Sequence, residues 1–195
     1  MRVLLATEGE SDEIVGEHLI WRSSSSAAIT KKNFATRGFY VVRRSISLCV
    51  KAAHFGHYDV LVIHFDLNNT LSPGFKSVKD SKRWQDADER LQETMKSLPS
   101  ADRERQLVTI FMTPCQSTEA WTDWGLHGGD GQLNERKDRK LLKRELYGNP
   151  PLGICDKTRE YVPKLAAQMD SNDEYPISLR EFMSNLESAK TTLAT

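Results

Sequence analysis

Tyr58-Asp59-Val60-Leu61-Val62-Ile63-His64-Phe65-Asp66 is the stretch on which the fold turns. Its centre is apolar and β-branched, without the polar alternation of a strand that has one wet face. It therefore reads as a strand covered on both sides, the mark of a parallel sheet with helices above and below. Two runs repeat the theme: Arg2 to Ala6, and Arg105 to Met112. Helical periods separate them. Asp12 to Trp21 places Ile14, Val15, His18 and Leu19 at helical spacing, with Ser11 as N-cap. Val41 to Phe55 places Ile46, Cys49, Val50 and Ala53 on one face and stops at Gly56. Lys82 to Leu98 is a charged amphipathic helix stopped by Pro99. Strand, helix, strand, helix, strand predicts an α/β fold: a small parallel sheet with flanking helices, Rossmann-like in pattern.

Ser23 to Ser26 is a polar break, Asn33 to Tyr40 is ambiguous with room for a short strand, and a Ser/Pro/Gly-containing loop runs to Val78. After Trp121 the pattern changes. Gly125 to Gly131 reads as a glycine-rich loop, Glu135 to Tyr147 as a strongly basic helix, and Asn149-Pro150-Pro151 as a break. Thr158 to Met169 and Ser178 to Ser188 read as two more helices. The predicted organisation is an α/β core over 1–125, a helical C-terminal extension over 126–189 packed on it, and a frayed tail from Lys190.

The chain has 195 residues, and its 27 Lys and Arg balance its 27 Asp and Glu. A free-standing nucleic-acid binder shows a basic excess, so contact with nucleic acid here has to come through a local patch, a bound metal or a partner. No apolar run reaches membrane-spanning length, and no basic segment followed by an apolar core opens the chain, so neither a membrane span nor a signal peptide is expected. Cys49, Cys115 and Cys155 are odd in number and form no CxxC pair, which argues against zinc and disulfides. A soluble, reduced, cytoplasmic protein fits these features.

Three apolar runs end in acidic residues. The first leads into Glu8-Gly9-Glu10-Ser11-Asp12-Glu13, the second into Asp66-Leu67-Asn68, and the third reaches Glu119. In a parallel sheet these ends share one edge, where α/β folds place their binding crevice. Carboxylates gathered there repel one another, and a hard divalent cation, Mg²⁺ or Mn²⁺, offsets them through oxygen ligands. Such a site can bind a phosphate, activate a water and stabilise a leaving oxygen. Glu8, Asp66, Glu119 and Asp12 are the candidate ligands, with the Asn68 carbonyl in support; Glu10 and Glu13 read as solvated. Asp66 ends the most buried strand and requires a partner, of which a lysine is the alternative to a metal.

These three segments resemble the Toprim domain, the metal-binding α/β fold of topoisomerases, primases and overcoming-lysogenization-defect nucleases. Glu8-Gly9 with Asp12 resembles the Toprim opening, Asp66-Leu67-Asn68 its DxD motif, and Ser117-Thr118-Glu119-Ala120-Trp121 a feature of small stand-alone Toprim-like proteins often found in bacterial defence neighbourhoods. Lys157 or Lys164, and Ser178-Leu179-x-x-Phe182-x-x-x-Leu186, fit the end of those proteins loosely. The resemblance implies an Mg²⁺- or Mn²⁺-dependent phosphodiester-cleaving enzyme, a nuclease in antiphage defence acting on nucleic acid, DNA ahead of RNA. Glu8 would be ligand or general acid/base, Asp66 the principal ligand, and Lys157 or Lys164 a cation facing the phosphate. Asparagine stands at 68 where DxD has its second aspartate, so the alternative is a weakened accessory subunit docked on a larger ATPase or nuclease partner.

The densest basic run supplies Arg136, Arg139, Lys140, Lys143 and Arg144, which fall near one face of a continuous helix. That face is either solvated or a phosphate-backbone contact. Trp121 and Trp124 are three apart and read as core ahead of a base-stacking platform. His64 reads as buried and hydrogen-bonded, His54 and His57 as surface residues, and His127 as within reach of the acidic edge.

Overall fold

The computed structural model describes residues 1–34, 38–67, 75–99, 107–172 and 174–194. In chain order they form β1 (Arg2–Thr7), α1 (Glu10–Ser23), β2 (Ala28–Asn33), α2 (Phe39–Phe55), β3 (Val60–His64), a 3₁₀ turn (Val78–Asp80), α3 (Lys82–Ser97), β4 (Val108–Met112), α4 (Thr118–His127), α5 (Gly131–Arg136), α6 (Arg139–Tyr147), α7 (Ile154–Ser171) and α8 (Ile177–Thr192). The strands make one all-parallel sheet in the order β2-β1-β3-β4. The α/β class, the flanking helices and the helical C-terminal segment are as the sequence predicts.

Alternation along the strands divides the interior in two. Leu4, Ala6, Leu61, Ile63 and Phe111 face α2 and α3, where they meet Val42, Ile46, Val50, Ala87 and Leu91. Val3, Leu5, Val60, Val62, Ile110 and Met112 face the other way, onto Val15 and Leu19 of α1, Leu165 of α7 and Phe182 of α8. Every residue of β3 is buried, and each of its aliphatic side chains contributes about 1.5–3 kcal/mol.

β2 is the strand that the sequence pattern does not locate; it precedes the ambiguous Asn33–Tyr40 stretch. It lies at the sheet edge, mostly exposed, and carries Lys31 and Lys32. An edge strand needs no apolar alternation, and lysines there disfavour pairing with another chain. Lys31 is satisfied by Glu13 and Glu17 of α1, at 3.3 and 2.9 Å. α1 starts at Glu10, with Gly9 rather than Ser11 at its N-cap.

The C-terminal helices complete the second half of the core. Trp121 is stacked on Phe182, with ring centroids 6.0 Å apart, and its Nε1–H donates to Ser178 Oγ at 2.8 Å. Trp124 packs edge-on against Tyr175 and donates to the Gly129 carbonyl at 3.1 Å. Both indoles are fully buried, as a core role requires. Gly125 lets α4 approach α7: a Cβ there would lie 2.5 Å from Leu165 Cα. The expected glycine-rich loop is present but shorter, Gly128 to Asp130, with Gly125 in α4 and Gly131 opening α5.

The N-terminus of α8 has no capping side chain of its own, because Pro176 stands at the N-cap. Glu135 caps it from α5. Its buried carboxylate accepts the N–H groups of Ile177 and Ser178 at 2.9 and 3.1 Å, and also the Ser178 hydroxyl. Burial pushes its pKa up, while the Ser178 hydrogen bonds pull it back. α8 runs to Thr192, past Lys190 where fraying is expected. His54 is buried, not a surface residue, whereas His57 is exposed. No described helix is long and apolar enough to cross a membrane.

Candidate functional site

The strand order places β1 and β3 side by side while their onward connections lead to opposite edges, to β2 and to β4. The carboxyl ends of β1 and β3 therefore flank the switch point of the sheet, where a crevice forms between diverging crossovers. A cavity of about 370 Å³ lies there. Glu8, Asp12, Asp66 and Glu119 line it, as do Arg83, Arg139 and Lys143. Four of the five predicted metal-site residues are thus brought together. The fifth, Asn68, lies outside the described residues.

Each acidic side chain is held by a specific neighbour. Glu8 follows β1 directly, and its Oε2 accepts the Gly38 N–H at 2.9 Å. Asp12 lies in the first turn of α1; its Oδ1 accepts the Thr118 hydroxyl at 2.6 Å. Glu119 lies in the first turn of α4, only 3% exposed, with Lys143 Nζ at 3.5 Å. Asp66 is 5% exposed. Its Oδ2 pairs with Arg139 Nη1 at 2.8 Å, and its backbone carbonyl accepts from Arg83 Nη1 at 3.0 Å.

His64 ties this cluster together from below. Its ring is fully buried, with Nδ1 3.7 Å from Asp12 Oδ2 and Nε2 3.5 Å from Asp66 Oδ1. Burial alone would lower its pKa, but Asp12, Asp66 and Glu8 outweigh it and push the value up to about 9. The imidazole is therefore a cation at neutral pH. Neither ring nitrogen makes a hydrogen bond of good geometry, and Asp66 Oδ1 and Ser117 Oγ are likewise buried without one. The expectation of a buried histidine holds; that of a hydrogen-bonded one gives way to an ion-pair arrangement between two carboxylates. Its signal in the sequence is the two-residue spacing from Asp66, which puts both on one side of an extended chain.

The cations that face the cavity differ from those expected. Lys157 donates to the Tyr147 carbonyl at 3.3 Å, closing the end of α6, and does not line the cavity. Lys164 pairs with Glu160 at 3.7 Å on an exposed surface. The basic stretch is two helices, not one: Asp138 breaks it by accepting the Lys140 and Leu141 N–H groups at 2.9 and 3.0 Å as the N-cap of α6. Arg136 is left exposed on α5. Arg139 and Lys143, one turn apart, turn into the acidic cavity. Lys140 and Arg144 are exposed and border a neighbouring cleft of about 450 Å³ that shares Lys143. His127 pairs with Asp123 at 3.0 Å instead of entering the cavity. Glu13 pairs with Lys31, and Glu10 reaches Arg159 at 2.8 Å on the rim.

Among the described residues no three His, Cys, Asp or Glu side chains converge closely enough to ligate one metal ion. The carboxylate donor set is still of the kind that suits a hard cation, with Asp66 Oδ1 facing His64 and its Oδ2 held by Arg139. The arrangement suits a single ion held by one or two carboxylates and its own waters, in the manner of magnesium, and not an all-protein cage. No family model, curated protein or solved structure matches the chain.

Proposed function

We propose that this crevice binds a phosphodiester together with Mg²⁺ or Mn²⁺ and cleaves it, the substrate being nucleic acid, DNA ahead of RNA, in a cytoplasmic defence setting. One observation carries the reading: carboxylates from three strand ends and two cations of α6 line the same cavity at the switch point of the sheet. A divalent ion bound there would lower the pKa of a water and offset charge on the leaving oxygen. Asp66 is the principal ligand, with Glu119 and Asp12 in support. Glu8, held by the Gly38 N–H, serves as a ligand or accepts the proton of the attacking water. The defence setting and the nuclease activity rest on the Toprim resemblance.

A second reading is a binding subunit with a weakened site, docked on a larger partner such as an ATPase. It is favoured by the pairing of Asp66 with Arg139 and His64, which already neutralises the best ligand.

Thermal melts with millimolar Mg²⁺ or Mn²⁺ separate the two, since a ligand of the native state raises its melting temperature. The enzyme reading expects a rise that Asp66→Ala and Glu8→Ala abolish, together with metal-dependent cleavage of DNA or RNA lost in both variants. No rise with either ion would leave the second reading.

A further inference from the structure

Asp66 has two cations of different character. His64 lies behind it, fully buried and fixed in β3. Arg139 lies in front, on the cavity side, with its side chain 41% exposed although the carboxylate it holds is only 7% exposed. The inner cation is built in; the outer one reaches the site from water. Arg139 is the first residue of α6 and lines the cavity of about 370 Å³. Lys143, one turn further on, contacts Glu119 more loosely, at 3.5 Å.

We infer that Arg139 is an exchangeable counter-ion. It neutralises Asp66 while no divalent cation is present. Once Asp66 is given over to such a cation, the guanidinium is released to an oxygen of the substrate phosphate in the same cavity. This assignment rests on the metal-dependent reading above. Guanidinium suits the role, since its planar fork matches carboxylate and phosphate oxygens equally well. The consequence is a coupling between ligands: the cation must displace Arg139, and the displaced Arg139 strengthens the hold on a phosphodiester. By linkage, the diester must raise cation affinity by the same factor.

The test uses Mn²⁺ alone, with free ion followed by electron paramagnetic resonance, and then Mn²⁺ with bis(p-nitrophenyl) phosphate. Wild type, Arg139→Met, Arg139→Lys and Asp66→Asn are compared, each with a melting curve to show that it folds. Arg139→Met removes the competitor and is expected to bind Mn²⁺ about fivefold tighter, the size set by a half-exposed ion pair. The diester should tighten Mn²⁺ binding in wild type, partly in Arg139→Lys, and not in Arg139→Met. Equal or weaker Mn²⁺ binding by Arg139→Met, or an undiminished diester effect in it, overturns the exchange role while leaving the metal site standing. Failure of wild type and Arg139→Met alike to bind Mn²⁺, or binding that persists in Asp66→Asn, overturns the metal reading and the exchange role with it.

Discussion

His64 gives the acidic edge a measurable pH dependence. Its ring is fully buried. Desolvation favours the neutral form, but Asp12 and Asp66, with Glu8 beyond them, reverse the balance and lift the pKa from 6.5 to about 9. The native chain thus keeps a proton that the unfolded chain releases. The stabilisation is complete below the unfolded pKa of 6.5 and is lost as pH rises through about 9. At about 1.4 kcal/mol per pH unit the whole effect is about 3 kcal/mol. Urea unfolding followed by tryptophan fluorescence, with chelator present, should be run from pH ~7 to ~8.5 on wild type and His64→Gln. That interval avoids His18, whose pKa is lowered by burial and then by Arg22, and which gives the opposite slope at lower pH. The cysteines, whose pKa values are raised mainly by burial, begin to ionise in the unfolded chain at the upper end of the interval and add a smaller loss of the same sign to both proteins. Wild type should lose about 2 kcal/mol across the interval. His64→Gln should keep only the shallow cysteine slope at the upper end, and should be less stable than wild type at the lower end. A flat wild-type profile, or an equal slope in His64→Gln, would refute the imidazolium as the internal counter-ion of Asp12 and Asp66.

Other perturbations probe the frame around the site. Gly125→Ala puts a methyl 2.5 Å from the Leu165 backbone and should destabilise the fold by about 1–3 kcal/mol in denaturant melts. Glu135→Ala strips the Ile177 and Ser178 donors of their acceptor and should cost about 3 kcal/mol, with Glu135→Gln intermediate. Replacing Lys140 and Arg144 by alanine should leave the melting temperature nearly unchanged. If the cleft they border carries the phosphate backbone, the salt slope of DNA binding, read by fluorescence anisotropy, should fall by about 1.8; an unchanged slope assigns those side chains to solvent.

The architecture was legible wherever burial wrote a pattern. Tyr58–Asp66 announced a strand covered on both faces because β3 is central, and Trp121 and Trp124 announced core because both pack inward. β2 was not legible for the same reason in reverse: an edge strand with four exposed polar residues carries no apolar signature. The acidic residues of the site could be listed from strand ends alone, since parallel topology sends those ends to one edge. Their counter-ions could not. Arg139 and Lys143 come from a helix whose boundary depends on one N-cap, Asp138, and a continuous Glu135–Tyr147 helix would have merged their face with that of Lys140 and Arg144. His64 reads as ordinary core because only the folded position of α1 reveals that a second carboxylate, Asp12, lies on its far side.

The covering of the sheet has a consequence for how the protein is made. One face is closed by α2 and α3, whose residues are synthesised before β4. The other face needs Leu165 of α7 and Phe182 and Leu186 of α8. A chain emerging from the ribosome therefore carries all four strands while Val60, Val62, Ile110 and Met112 have only α1, α4 and water to meet. The second wall is completed only when residues 177–192 have cleared the exit tunnel, and a message truncated before them would yield a product with part of that apolar face uncovered, prone to aggregate.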